Sequence, residues 1–510
     1  MIETEDEKLM RECHRALEMG DNIRALTAAD ELLLRNPEND AALFAAGTAL
    51  LRGDQKGVAL QLLNAARALT KDDERKLGVI WNNIGYCLQG YHPDKAYVAL
   101  KKALEYGYNE MSYDNLCNVA SRIGRHAEAL DWADRSGRDA SYNRSFALFA
   151  LGRWKEAWAD YDKSAGTASR PVTDRDYGLP RWDGQKRGKV IIHGEQGVGD
   201  EIMFMSMLPK DFGGVIDCNP RTASLFQRSF PFAWVYGTLL QTVLEWPLHE
   251  KADYHLEMGG LGGLYAPEPF RRGGFLCADA ARVAAWSEWL RVSCQPSGTA
   301  EGSSGLRLVE RRVGSSGTDA PTGQQLPDDH TPGRTGHHRG SGGHLRVGIS
   351  WTGGTWETGR VRRSVPFEAI NRYLFKQHPD IVWVNLEYDP REPELELAKA
   401  DGAMVLNPYW ATKKGAELDD LAALVSSLDL VISATNSTVD LCGALGVPVW
   451  VMTDAEPQWR YAHAAGEETM WFYESARLFR QKLDDNGDWG RVCANVALAL
   501  AQKKRAQEAA

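Results

Sequence analysis

Five glycines recur at nearly even intervals through the first third of this 510-residue chain. Gly20, Gly53, Gly90, Gly124 and Gly152 stand in "MGDNIRAL", "RGDQKGVAL", "QGYHPDKAY", "IGRHAEAL" and "LGRWKEAW", with gaps of 33, 37, 34 and 28 residues. The residues between them are rich in Ala, Leu, Glu, Arg and Lys, all good helix formers. Each glycine ends one helix, and the Ala/Leu pattern after it starts the next. A pair of helices joined by a tight turn cannot bury its own apolar face, so the pairs must stack and leave a concave groove. An irregular helical bundle is the other reading of residues 1–165.

The spacing resembles the tetratricopeptide repeat, a helix–turn–helix unit of about 34 residues. Asn36-Pro37 and "WNNIGYCL" from Trp81 fit the same unit. The composition is that of a globular protein, and the net charge of −10 argues against broad nucleic-acid or anionic-membrane binding. Eight scattered cysteines, without a C-x-x-C pair or zinc spacing, suit free thiols in a reducing cytoplasm. The acidic start "MIETEDEKLM" is unlike a signal peptide. No apolar run approaches the about 18 residues of a membrane span. A cytoplasmic protein is expected.

The pattern changes after the Pro/Gly/Trp-rich linker "DYGLPRWDGQKRG". Short apolar strands such as "KVIIHG", "GGVIDCN", "LRVGISW", "DIVWVNLEY", "DLVISA" and "VPVWVM" now alternate with helical stretches, which predicts parallel sheets. Two α/β domains are expected, over 179–293 and 345–510. The segment 294–344 is dominated by Gly, Ser, Thr, Pro, Arg and His and nearly lacks large apolar residues, so it reads as a disordered linker. A shifted reading frame is the second account of its alien composition. His330, His337, His338 and His344 lack cysteines or carboxylates at fixed spacing, so no metal site is expected there.

The stretch "HGEQGVGDEIMF" poses the chemical question. A dinucleotide fingerprint needs G-x-G-x-x-G and an acid about 20 residues on. Gly194, Gly197 and Gly199 give G-x-x-G-x-G instead, although Asp217 stands where a ribose-binding acid would. A helix start attracts phosphate through its free N–H groups and dipole. Asp200 and Glu201 already occupy that position and would repel a pyrophosphate. A carboxylate lifted on a glycine loop at a sheet edge has a better use, which is to take a proton from an incoming hydroxyl. Asp200 as a simple N-cap is the plainer alternative.

In "DLVISATNSTVDLCGALGVPVWV" the strand Leu430–Ser433 ends in the polar turn Thr435-Asn436-Ser437-Thr438. The helix Val439–Leu445 follows and stops at Gly446. Ser and Thr at a helix start form an anion site, or cap the helix and nothing more. "GISWTGGTWETGRVRRSVPF" adds Gly353, Gly354, Arg360, Arg362 and Arg363, whose forks suit phosphate oxygens or a solvated loop. Trp459 and Arg460 in "PQWRY" read as donor contacts or packing, with packing favoured for Trp459.

Together "HGEQGVGDEIMFMSMLP", "LFQRSFP", "RVGISWTGG", "RRSVPF", "LDLVISATNSTVDLCGALGVPVWVM", "PQWRY" and "ARLFRQ" resemble the tetratricopeptide-linked glycosyltransferases related to the ADP-heptose–lipopolysaccharide heptosyltransferases. The likeness runs from about Leu179 to Leu500. It implies a GT-B fold, two facing Rossmann-like domains behind the TPR-like helical repeats. It implies Asp200 as general base on an acceptor-side loop with Gly197, Gly199 and Glu201. It places Arg363, Ser364, Glu387, Asn436, Ser437, Thr438 and Asp440 on the donor side. Most members carry histidine where this chain has Asp440, and an acid in the first helical turn opposes a diphosphate or signals a different donor. The expected activity is inverting sugar transfer from a nucleoside-diphosphate sugar, a co-substrate, to an acceptor hydroxyl. No cofactor is expected, and without a D-x-D motif no metal. The repeats would hold an acceptor or partner, a protein among the candidates. The alternative is an inactive TPR scaffold with a degenerate GT-B half.

Overall fold

The structure, a computed structural model, describes residues 4–137, 139–167, 169–170, 177–238, 251–294, 344–354, 359–389, 391–413, 415–462, 466 and 468–508. The expected linker 294–344 therefore lies outside the described residues except for its ends, as do His330, His337 and His338. His344 meets the Asp380 carbonyl through Nδ1 at 2.9 Å.

Ten described helices form five hairpins: α1 (Glu5–Glu18) with α2 (Asn22–Arg35), α3 (Asp40–Arg52) with α4 (Lys56–Leu69), α5 (Glu74–Leu88) with α6 (Pro93–Glu105), α7 (Glu110–Arg122) with α8 (His126–Arg135), and α9 (Ser141–Ala150) with α10 (Trp154–Lys163). The turn glycines fall inside these hairpins. Gly20, Gly124 and Gly152 take positive φ, where a side chain would be strained, whereas at the second turn Asp54 takes it (φ 60) in place of Gly53. Helices α1–α5 close small cores of their own. From α6 onward the repeats share one continuous core with both α/β lobes.

The first lobe is a four-stranded parallel sheet of β1 (Val190–His193), β2 (Val215–Cys218), β3 (Trp234–Gly237) and β4 (Tyr254–Glu257), ordered β3-β2-β1-β4. The short strand β5 (Arg271–Arg272) leaves it. The second lobe contains β6 (Arg346–Ser350), β7 (Val382–Asn385), β8 (Met404–Leu406), β9 (Leu430–Ala434), β10 (Val449–Thr453), β11 (Phe472–Tyr473) and β12 (Ala476–Arg480). Its six-stranded parallel sheet is ordered β12-β10-β9-β6-β7-β8. The central strands are buried along their whole length, as strands covered on both faces must be. The architecture is TPR-like repeats followed by a GT-B-like pair of Rossmann-like domains, the class expected from the sequence. No described helix is long and apolar enough to cross a membrane.

The lobes meet through backbone and charge alike. β5 pairs in parallel with β11, and the amides of Phe275 and Leu276 donate to the Ala444 carbonyl at 2.7 and 2.9 Å. Arg228 forks onto Asp419 with two bonds of 3.0 Å, and Arg282 reaches Asp420 at 2.8 Å. The helix Ala280–Ser293, placed by sequence in the first α/β domain, packs against Leu418–Ser426 of the second lobe.

The repeats are joined to the lobes by aromatic rings. Trp459 of the second lobe stacks on Phe149 of α9 with centroids 4.3 Å apart, and Trp154 of α10 meets Trp471 edge-on at 5.1 Å. Trp158, also of α10, lies so close to Gly262 of the first lobe that a Cβ there would sit 2.4 Å from its ring. Phe149 is fully buried at the centre of this cluster. Phe149→Ala is expected to cost about 3–5 kcal/mol of folding free energy and to expose the lobe-facing tryptophans. Urea titration followed by tryptophan fluorescence measures both.

Candidate active site

In open parallel sheets a ligand crevice lies beyond the C-terminal strand ends, where neighbouring strands lead off in opposite directions. That point falls between β1 and β4 in the first lobe and between β6 and β9 in the second. The 194–197 loop leaves β1 for the Val198–Met205 helix, and the 435–436 turn leaves β9 for the Ser437–Leu445 helix. Both motifs singled out in the sequence therefore stand at these switch points.

On the first edge Gly197 is the N-cap of the Val198–Met205 helix, and its carbonyl accepts from the Glu201 amide at 3.0 Å. A Cβ on Gly199 would lie 2.9 Å from Asp440 Oδ2 and 3.2 Å from Ser437 Cβ, so glycine at 199 lets the lobes touch. Asp200, half-buried, lies at this contact. Glu201 turns the other way. Its carboxylate accepts from the Asn219 amide at 3.0 Å and from Thr222 Oγ1 at 3.2 Å, tying the helix to the end of β2. The two acids at the helix start thus have separate tasks. Asp217 accepts from the Tyr177 hydroxyl at 2.6 Å and from Thr238 within the first lobe.

The loop is clamped from the repeat side. Arg170, just beyond α10, forks onto Glu195 with bonds of 2.8 and 2.6 Å, and Glu195 also accepts from the Gly259 amide at 3.0 Å. Gln196 donates to the Tyr161 hydroxyl of α10. Burial pushes the Glu195 pKa up, against the opposing pull of Arg170.

On the second edge Asn436 caps the Ser437–Leu445 helix, its Oδ1 accepting from the Thr438 amide at 2.9 Å. Its Nδ2 donates to Ser350 Oγ and to the Thr352 carbonyl, both at 2.9 Å, which ties the ends of β6 and β9 together. Arg363 lies beneath this turn. It donates through Nε to Thr435 Oγ1 at 2.9 Å and through Nη2 to the Thr435 carbonyl, and burial pushes its pKa down. Ser364 Oγ accepts from the Gly353 amide at 3.1 Å and donates to the Arg360 carbonyl. Glu387, buried at the end of β7, takes three donors on Oε1: Ser350 Oγ and the amides of Trp351 and Thr352, at 2.6–3.0 Å. Among the described residues its buried Oε2 has no hydrogen-bond partner.

Between the edges stands Arg460, which the sequence offered as a donor contact or as packing. Its Nη2 pairs with Asp200 of the first lobe and its Nη1 with Asp440 of the second, at 3.3 Å. The Tyr473 hydroxyl donates to Asp440 Oδ1 at 3.2 Å. Burial, with Asp200 as a neighbouring like charge, pushes Asp440 up to about 7, against the opposing effect of Arg460. Burial alone would lower the Arg460 pKa, but Asp200 and Asp440 hold it above the ordinary arginine value. The structure thus brings Gly199, Asp200, Ser437 and Asp440 together around Arg460. Asn436 and Thr438 lie beside them, Arg363, Ser364 and Glu387 brace the second edge from behind, and Glu201 belongs to the first lobe's interior. Among the described residues no cluster of three His, Cys, Asp or Glu side chains is placed to hold a metal ion.

No protein-family model matches the sequence. The chain is similar to Protein FlbA of Caulobacter vibrioides, 27% identical over 507 residues, covering 90% of this chain and 75% of the relative. Solved structures that resemble it include an O-GlcNAc transferase of Thermobaculum terrenum (15% identical, 99% of this chain and 93% of that one, TM-score 0.36). Another is the E. coli ADP-heptose lps heptosyltransferase II (14% identical, 62% and 99%, TM-score 0.35). At these levels the likeness assigns neither activity nor substrate, and the chemistry has to be carried by the chain's own residues.

The raised Asp440 pKa has a consequence for stability. A carboxyl that binds its proton more tightly folded than unfolded stabilises fully below its ordinary value of 3.8 and loses that contribution as pH rises through about 7. Asp440→Asn cannot ionise. Its melting temperature relative to wild type should therefore climb between pH 5.5 and 8, which differential scanning fluorimetry across that range would show. A difference independent of pH would contradict the assignment.

Proposed function

We propose that the chain is a glycosyltransferase that moves a sugar from a nucleoside-diphosphate sugar to an acceptor hydroxyl with inversion. One observation carries the reading: Gly199, next to Asp200 on the first switch point, packs on the Ser437 helix start of the second, so an acid for the acceptor and an anion site for the donor lie at one contact between the lobes. Asp200 takes the hydroxyl proton as the acceptor oxygen attacks the anomeric carbon. The bond from that carbon to the diphosphate breaks, and its electron pair leaves with the diphosphate oxygen. The departing charge is met by the positive end of the Ser437–Leu445 helix and by the hydroxyls of Ser437 and Thr438. Arg363 serves by holding Thr435, and Glu387 offers Oε2 to a donor hydroxyl at the end of β7. One displacement inverts the anomeric centre.

Gly199 packs directly on Ser437 and Asp440, so the lobes must part to admit a nucleotide sugar and close again for transfer. Closure excludes water and limits donor hydrolysis. The repeat groove is the proposed site for an acceptor or partner. A second reading, an inactive scaffold, is favoured by the pairing of Asp200 with Arg460, which occupies the carboxylate that the acceptor hydroxyl would need.

Incubation with mixed nucleotide sugars and host lysate, followed by mass spectrometry, is expected to reveal a glycosylated product. Asp200→Asn should abolish it, a fall of at least about 10²-fold for a lost general base, without weakening nucleotide binding. Unaltered turnover in that variant would remove Asp200 as the base. Failure of the wild type to bind any of ADP, GDP, UDP or CDP would favour the scaffold.

A further inference from the structure

The position of Arg460 raises a difficulty for any mechanism that uses Asp200. A guanidinium paired with the proposed base occupies the carboxylate that the acceptor hydroxyl has to reach. Three features of the side chain resolve it. Its fork is divided, Nη2 to Asp200 of one lobe and Nη1 to Asp440 of the other, so one pairing can be released while the second is kept. Its Nε is buried and, among the described residues, has no hydrogen-bond partner, a donor left over inside the site. Its backbone is fixed, because the neighbouring Trp459 is stacked on Phe149 of α9, so only the side chain is at liberty to move. Asp440 also lies three residues beyond Ser437 in one helix, which puts both on the same face. The guanidinium therefore stands within one helical turn of the anion site.

Resting on the transferase reading above, we infer that Arg460 senses the donor: it pairs with Asp200 in the closed contact between the lobes and passes to the leaving diphosphate when the donor binds, which frees Asp200 for the acceptor proton. Arg460 is well suited to the exchange, since its planar fork fits a phosphate as readily as a carboxylate. Asp440 then has a definite task. It retains the guanidinium at the helix start during the exchange, which accounts for an acid in a turn where it would otherwise oppose a diphosphate. The device also orders the reaction, because the base becomes available only after the donor is in place.

The inference makes Asp200 a competitor of the diphosphate for one cation, and that is measurable without knowing the sugar or the acceptor. Wild type, Asp200→Asn, Arg460→Lys and the double variant are titrated calorimetrically with ADP, GDP, UDP and CDP, with melting curves confirming that each is folded. For whichever nucleotide binds wild type, Asp200→Asn should tighten binding at least about fivefold, the lower end of a typical coupling between sites. Arg460→Lys, which loses the fork, should weaken it, and Asp200→Asn should have a much smaller effect in the Arg460→Lys background. Unchanged nucleotide binding in Asp200→Asn would overturn the inference while leaving the transferase reading intact, and weakened binding would overturn the inference and contradict the binding expected of that reading as well. Absence of nucleotide binding by wild type would overturn both.

Discussion

A single positive charge, that of Arg460, is shared between carboxylates that belong to different lobes. Without it, Asp200 and Asp440 would face each other as like charges in a poorly hydrated contact, where their repulsion is weakly screened. The pairing sets how closely the lobes approach, and glycine at 199 makes that approach sterically possible. It also explains why Asp440 binds its proton so firmly: a guanidinium whose nearer partner is Asp200 offers Asp440 only partial compensation for burial.

Arg460 is held in place by the residue before it. Trp459 stacks on Phe149, which lies within the fifth hairpin of the repeats, so the last hairpin determines where the lobes are bridged. The same hairpin reaches the other lobe through Tyr161 and through Trp158 against Gly262, and Arg170 beyond it clamps Glu195 at the base of the glycine loop. The C-terminal half of the repeats is therefore part of the crevice's wall. Helices α1–α5 close small cores of their own, with Leu88 of α5 also packed against the shared one.

Much of this was legible in the sequence. Gly20, Gly124 and Gly152 marked their hairpins because a left-handed turn penalises any side chain, and the apolar runs at β1, β2, β6, β7, β9 and β10 marked strands buried on both faces. The strands β3 and β8 were not singled out, since edge strands such as Trp234–Gly237 are part-exposed and lack a continuous apolar pattern. Asp200 and the Asn436–Thr438 turn stood out because their chemistry is local to a loop. The separate fates of Asp200 and Glu201 did not, because adjacent residues on a helix point in different directions and only the packing tells which faces the crevice. Arg460 was invisible as a bridge for a simpler reason: nothing in a sequence places residue 460 beside residue 200. Arg363 was legible as a phosphate fork or part of a solvated loop, with the donor side implied by resemblance, but its attachment to Thr435 depends on β6 and β9 being neighbours, a fact of topology.

The central claim is that the two switch points, one from each lobe, form one site that a nucleotide-bearing ligand occupies. Hydrogen–deuterium exchange in the presence and absence of ADP, GDP, UDP and CDP tests it most directly. The account predicts that whichever nucleotide binds will change protection of the 194–205 and 434–445 segments together, with the 459–461 turn following. A ligand that alters one of the two main segments and leaves the other untouched would contradict it.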